Sequence, residues 1–179
     1  MSKKIIVSML LTFAFASVMH AATPAEVYKW IGALEGEWKL SKTVPQQGSC
    51  SYEEGEEPDI GIAFKYIGRN TTIQEELLPN SERQMVTMYH CSDIACSNIK
   101  GTHYCVKMNQ PVYMANLKES TPNKIIMECD MSTELCNSNE NYVFKVIHEL
   151  SPDGKRLKSS YLSKKDKKPI PSTICNFEK

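Results

Sequence analysis

Beyond its first eighteen residues this 179-residue sequence has no long apolar run, which excludes a later membrane-spanning helix, since one needs about 20 apolar residues. It has no excess of positive charge: 21 Lys and Arg balance 21 Asp and Glu. Nucleic acid and anionic membrane surfaces select clustered positive charge, so neither is expected as a partner. The chain has no phosphate-cradling glycine loop, no paired zinc-type cysteine spacing and no serine-hydrolase elbow, so the common routes to nucleotide, zinc and acyl-transfer chemistry are absent. There is also no internal repeat and no low-complexity tract.

What is present begins with an export signal. Lys3 and Lys4 form a basic start, residues 5–18 are mostly apolar, and the small Ala21 and Ala22 follow. Residues 1–22 are therefore read as a signal peptide and residues 23–179 as a single domain. The first cysteine is Cys50, so none lies where a bacterial lipid anchor would attach. The expected product is a soluble bacterial periplasmic or secreted protein, monomeric and without a membrane anchor. Loss of Lys3 and Lys4 leaves 19 basic residues against 21 acidic ones, a net charge of about −2. The one basic run, Lys164-Lys165-Asp166-Lys167-Lys168, reads as a solvated hairpin tip.

Thr23-Pro24 followed by residues 25–34 has the cap, early proline and apolar spacing of a short helix, with Val27, Trp30, Ile31 and Leu34 on one side. After Gly36 the pattern changes to short runs of β-branched and aromatic residues, punctuated by Gly, Pro, Asn, Asp and Ser. The runs read as strands are 37–44, 60–67, 71–78, 84–91, 99–108, 112–118, 124–129, 142–150, 156–163 and 172–177. Local turns such as Thr121-Pro122-Asn123 and Ser151-Pro152-Asp153-Gly154 suggest consecutive hairpins. The fold class is all-β: an antiparallel up-and-down barrel of 8 to 10 strands with a short N-terminal helix, closure removing the exposed edges of an open sheet. A two-sheet sandwich is the alternative. The acidic loop 46–59 is expected to be mobile.

Seven cysteines in an exported chain leave at least one thiol unbridged within the molecule. Cys91 with Cys96 and Cys129 with Cys136 each flank a short turn, while Cys50 follows the first strand and Cys175 lies in the last, strands that are neighbours in a closed barrel. Six cysteines allow fifteen connectivities, so these pairings rest on topology. They leave Cys105 over, inside Thr102-His103-Tyr104-Cys105 and shortly before Asn109-Gln110-Pro111.

If Cys91 faces Cys96 directly, counting outward sets His90 opposite Ser97, Met88 opposite Ile99, Val86 opposite Gly101 and Gln84 opposite His103. The apolar face would then be that of Val86, Met88, Ile99, His103 and Cys105, with His103 and Cys105 looking into the barrel about 7 Å apart. His90 would share that face but lie about 20 Å from His103, so no metal site of His90, His103 and Cys105 is expected. The same counting sets Glu75 opposite Val86, with Ile73 and Leu77 on its face. A buried carboxylate needs a partner, and His103, Tyr113 or a bound molecule would serve; a place at the rim, in water, is the alternative. In residues 142–150, Tyr142, Phe144, Val146 and His148 alternate with Val143, Lys145, Ile147 and Glu149, which turns His148 inward.

Glu75, Pro79, the run Met85-Val86-Thr87-Met88-Tyr89-His90, the run Thr102-His103-Tyr104-Cys105, Asn109-Gln110-Pro111 and Leu34-x-Gly36-x-Trp38 together resemble a bacterial lipocalin-like family of the calycin type. The resemblance covers residues 30 to 118 well and the remainder loosely. Met108 stands where that family usually has glycine, and a cysteine-bracketed loop follows His90 in place of a short acidic hairpin. The resemblance implies one antiparallel barrel with an interior pocket. It carries no settled activity, and a fold alone supplies none.

Three functions compete. In the first, the barrel binds a small, largely apolar ligand, oriented by Glu75, His103, Cys105, Asn109, Gln110, Tyr113 and His148. The second is a disulfide-stabilised interaction or structural module that contacts a protein partner. The third is a thiol-dependent enzyme with Cys105 as nucleophile and His103 as base; it is disfavoured because residues two apart on a strand point in parallel. Haem held by His103 or His148, by analogy with nitrobindin-like barrels, is likewise disfavoured, and no cofactor is expected. Interior volume separates the first two: several hundred Å³ of polar-dotted cavity favours a ligand, a filled interior a structural role.

Overall fold

A computed structural model describes residues 21–50 and 60–179. Residues 1–20 of the expected signal peptide and residues 51–59 of the acidic loop lie outside the described residues. The chain enters through α1 (Pro24–Gly32), where Thr23 and Glu26 form a reciprocal capping box and Pro24 occupies the first turn, a sequence-local start signal. Ten strands follow: β1 (Gly36–Leu40), β2 (Ile62–Ile67), β3 (Thr72–Leu77), β4 (Met85–Cys91), β5 (Ile99–Tyr104), β6 (Val112–Ala115), β7 (Lys124–Cys129), β8 (Tyr142–Leu150), β9 (Arg156–Lys165) and β10 (Lys168–Glu178). A single helical turn, α2 (Glu134–Asn137), interrupts the β7–β8 connection. Every strand pairs antiparallel with its sequence neighbours and β1 pairs with β10, so the sheet closes into an up-and-down barrel of the lipocalin-like kind.

The two ends of the barrel differ. At one end α1 lies against β2, β4, β5 and β7, with Val27, Ile31 and Leu34 buried and Trp30 half-buried. Gly32 sits under the Tyr66 phenol, where any Cβ would collide with the ring oxygen. Trp38 fills the space beneath and donates its indole N–H to the Leu34 carbonyl at 2.8 Å. Above it, Phe64, Tyr89, Tyr113 and Phe177 are fully buried, so large aromatic side chains occupy the helical half of the interior. The opposite mouth is formed by the β3–β4, β5–β6, β7–β8 and β9–β10 connections. The last is a two-residue turn at Asp166 and Lys167, both with positive φ, matching the hairpin tip read from the lysine run.

The three bridges are Cys50–Cys175, Cys91–Cys96 and Cys129–Cys136, and Cys105 is free. The hairpin registers correct the expectation. Cys91 pairs with Ile99 and not with Cys96; Met88 pairs with Thr102, Val86 with Tyr104 and Thr87 with His103. Cys96 sits in the loop with φ 53°, so the bridge spans a turn and does not face across a ladder. In the β3–β4 hairpin Glu75 pairs with Thr87 and not with Val86. A one-residue slip exchanges the faces of a strand, so Thr87 and Tyr89 point inward while Val86, Met88 and His90 do not. The motif Met-Val-Thr-Met-Tyr-His carries apolar groups on both faces, and periodicity alone could not choose between them. In β8 a bulge between Val143 and Lys145 turns Val143 inward in place of Phe144, whose ring instead lies under the Lys164 ammonium at 4.1 Å.

The bridges enclose very different loops: 125 residues for Cys50–Cys175 but 5 for Cys91–Cys96. From loop-closure entropy the first stabilises by about 5 kcal/mol and the second by about 2 kcal/mol. Urea unfolding of the Cys50→Ala/Cys175→Ala and Cys91→Ala/Cys96→Ala double variants is expected to show that order; a larger loss from the short hairpin bridge would contradict it.

Candidate functional site

Glu75 stands on the inner face of β3, between Ile73 and Leu77, and is 1% exposed. Its partners come from three other strands. Tyr89 on β4 donates its hydroxyl to Oε2 at 2.5 Å, Tyr161 on β9 donates to Oε1 at 3.0 Å, and His148 Nε2 on β8 lies 3.3 Å from Oε2. His148 is fixed from behind by Ser159 Oγ, 2.8 Å from Nδ1, and its ring stands edge-on to Phe64. Burial pushes the Glu75 carboxyl up, but the His148 charge, hydrogen bonds from His148 and Tyr89, and the His103 charge outweigh it, so the net shift is below its ordinary value of 4.5. Burial, with the Glu75 charge behind it, holds the Tyr89 and Tyr161 phenols well above the usual tyrosine range, so they remain donors.

Directly across the ladder from Glu75 runs the row Glu75, Thr87, His103. His103 is 2% exposed, and its Nδ1 lies 2.9 Å from Thr87 Oγ1. Its Nε2 is buried without a hydrogen-bond partner among the described residues. Burial lowers the His103 pKa, opposed by the Glu75 charge; the ring is neutral at neutral pH. The neighbouring row holds Tyr89, Gly101 and Tyr113. A Cβ on Gly101 would come within 3.0 Å of the Tyr89 ring, so glycine there makes room for the tyrosine that holds Glu75.

At the open mouth a pocket of about 120 Å³ is lined by Leu77, Met85, His103, Cys105, Val143 and Tyr161 among others. Tyr161 belongs to both the pocket floor and the Glu75 network. Leu78, also in the lining, is fully buried with φ 51°, a left-handed backbone that is rare for a bulky side chain. Cys105 is half-buried just past β5, and its Sγ contacts Met85 Sδ at 3.9 Å.

The structure therefore brings Glu75, His103, Cys105, Tyr113 and His148 into the barrel or its mouth. Tyr113, however, donates to the Val143 carbonyl at 3.2 Å and not to Glu75. Asn109 is a loop tie, donating to the Asn141 carbonyl at 2.9 Å, with its Oδ1 buried and unpartnered among the described residues. Gln110 is exposed outside the cluster. His90 shares no face with His103; its Nδ1 lies 2.7 Å from its neighbour's carbonyl. Thr87, Tyr89, Ser159 and Tyr161 went unnoticed in the sequence. The alternation Leu157, Ser159, Tyr161, Ser163 marks an inner face polar enough to have flagged the last two. Met108 has φ 59°, the conformation glycine adopts most readily. No protein-family profile matches this chain, and no curated protein matches it.

Folded His103 and Glu75 both bind a proton less readily than in the unfolded chain, so acid favours unfolding. Stability is expected to decline once pH falls below about 6.5 through His103 and again below about 4.5 through Glu75. His103→Gln should remove the first decline and Glu75→Gln should lessen the second, to which Asp93, Asp130 and Asp153 also contribute, read by urea unfolding across the acid range; unchanged profiles would refute the assignment. Tyr161→Phe, which leaves Oε1 short of its donor, should cost about 1 to 3 kcal/mol at neutral pH.

Proposed function

We propose that this protein is an exported barrel that binds a small, largely apolar molecule carrying one polar group, seated at the open mouth against His103. The observation that carries this reading is the Nε2 atom of His103, buried and unpartnered among the described residues, in a residue that lines the pocket. Leaving such an atom unsatisfied costs about 1 to 3 kcal/mol, and an occupant with a hydroxyl or carbonyl removes that cost. Leu77, Leu78 and Val143 supply apolar wall.

Export is supported by the three disulfides, which persist in oxidising compartments. Among the described residues no helix is long and apolar enough to cross a membrane. The outward faces of the strands carry charged pairs such as Lys65 with Glu76, Lys145 with Glu128 and Lys158 with Glu149, whereas lysine against lipid at the midplane of a membrane barrel costs about 2 to 4 kcal/mol. Together these observations support an aqueous setting in the periplasm or outside the cell. The lipocalin-like resemblance fits the same picture.

The packed helical half favours a second reading. A pocket of about 120 Å³ falls short of the 300 Å³ or so of a usual ligand site, which suits a disulfide-stapled module working through its surface. A thiol enzyme draws little support, because the Cys105 sulfur contacts a thioether and His103 and Cys105, two apart along the strand direction, project in parallel.

Phenol is a fitting probe, since a cavity of roughly this size accepts a benzene ring and the hydroxyl can meet Nε2. Titration of phenol into the labelled protein is expected to shift the His103 side-chain nitrogen and Cys105 amide resonances, with benzene binding more weakly. Absence of any shift at those two residues would favour the surface module instead.

A further inference from the structure

The register that the sequence misassigned has a chemical consequence at the mouth. Because Thr87 pairs with His103 and Val86 with Tyr104, the next step along the ladder sets Met85 beside Cys105. Both share an inward face with the Thr87–His103 pair, and Met85, Cys105 and His103 all line the pocket. A thiol and a thioether in contact therefore share one pocket with the imidazole of His103, on two adjacent strands. Among the described residues no three of His, Cys, Asp and Glu gather as metal ligands; this cluster counts a methionine.

We infer that Met85, Cys105 and His103 form a binding site for a soft monovalent metal ion, copper(I) in kind. The two sulfurs are 3.9 Å apart. At a metal–sulfur distance of about 2.3 Å, typical of thiolate on a first-row ion, that separation subtends an angle of about 116°, close to trigonal. The third donor is the buried, unpartnered Nε2 of His103. Its other nitrogen is anchored on the Thr87 hydroxyl, the outer-shell arrangement that fixes the tautomer of a metal-bound histidine. Softness selects the ion, because a thioether with a thiolate suits copper(I), whereas zinc sites use Cys, His and carboxylate.

Charge points the same way. On binding, the Cys105 S–H bond breaks, its proton leaves to solvent, and the thiolate pair forms the bond to the ion. No electron is transferred. A monovalent ion on one thiolate is neutral, while a divalent ion would leave a positive charge beside Arg83 and Lys107, which also line the pocket. The site uses the same His103 Nε2 and the same pocket as the apolar-ligand reading, so the two occupants would compete, but metal uptake and phenol binding are measured separately and each can fail alone.

The test is a competition for copper(I) against bicinchoninate, under anaerobic conditions with ascorbate, using the full mature protein with its disulfides intact. Wild type is expected to withdraw one equivalent. Cys105→Ser should abolish uptake, Met85→Leu should weaken it, and Met88→Leu, on the outward face of the same strand, should leave it unchanged. Thr87→Val, which removes the anchor of His103, should weaken uptake by roughly 10- to 100-fold. Circular dichroism of each variant checks that the barrel is intact. Failure of wild type to compete, or equal uptake by folded Cys105→Ser, would overturn the assignment.

Discussion

The buried carboxylate of Glu75 is the constraint from which the interior follows. An ion of this kind taken out of water costs several kcal/mol unless donors replace its hydration, and here the donors are Tyr89, Tyr161 and His148. They stand on β4, β8 and β9, while Glu75 stands on β3. β3 and β4 are neighbours, but β8 and β9 reach Glu75 only across the lumen of the closed sheet. Satisfying one carboxylate therefore requires the whole barrel. A two-sheet sandwich built from the same strands would have to find other donors.

Register follows from the same requirement. A slip of one residue in β4 would turn Tyr89 and Thr87 outward and present Val86 and Met88 to Glu75, leaving the carboxylate without Tyr89 and His103 without its Thr87 partner. Gly101 contributes to the selection, since a Cβ there would press on the Tyr89 ring at 3.0 Å and require it to shift. Once the Tyr89 row is set, the rows beyond it toward the mouth are set too: Thr87 beside His103, then Met85 beside Cys105. The chemistry of the mouth is thus a by-product of the electrostatics at the centre.

This explains which parts of the molecule were legible in the sequence. The barrel, the capped helix, the three bridges and the spare thiol could be read because each rests on a local or topological signal: turn residues, a capping box, cysteines at strand ends. Glu75, His103 and His148 were recognisable as inward polar groups on faces otherwise apolar. The β4 face was not, because its residues alternate apolar on both sides and the deciding contacts come from His148 and Tyr161, 59 and 72 residues beyond Tyr89 in the chain. The loop geometry of Cys96 hid the hairpin register for a related reason: a disulfide fixes a distance between two residues, not their opposition on a ladder. The bulge at Val143 to Lys145 is a third such case, where a single inserted residue reverses an alternation that the sequence displays cleanly.

The departures from ideal packing are not spread evenly. The end covered by α1 is filled by Trp38, Leu34 and Ile31 with its polar groups paired, whereas the mouth holds His103 Nε2 unpartnered, Leu78 in a left-handed backbone and a free thiol beside a pocket. Left-handed non-glycine residues occur at the helical end too, at Arg69, Asn70 and Cys96, so what sets the mouth apart is a buried imidazole nitrogen without a partner among the described residues, in a pocket that a free thiol also lines. The Cys50–Cys175 bridge bears on the same pocket, since Cys50 also lines it. A free thiol and the cystine that closes the longest loop thus border one cavity, and their separation is what keeps thiol–disulfide exchange from opening that loop. An occupant that ties up the Cys105 sulfur suppresses that exchange as well as satisfying the imidazole.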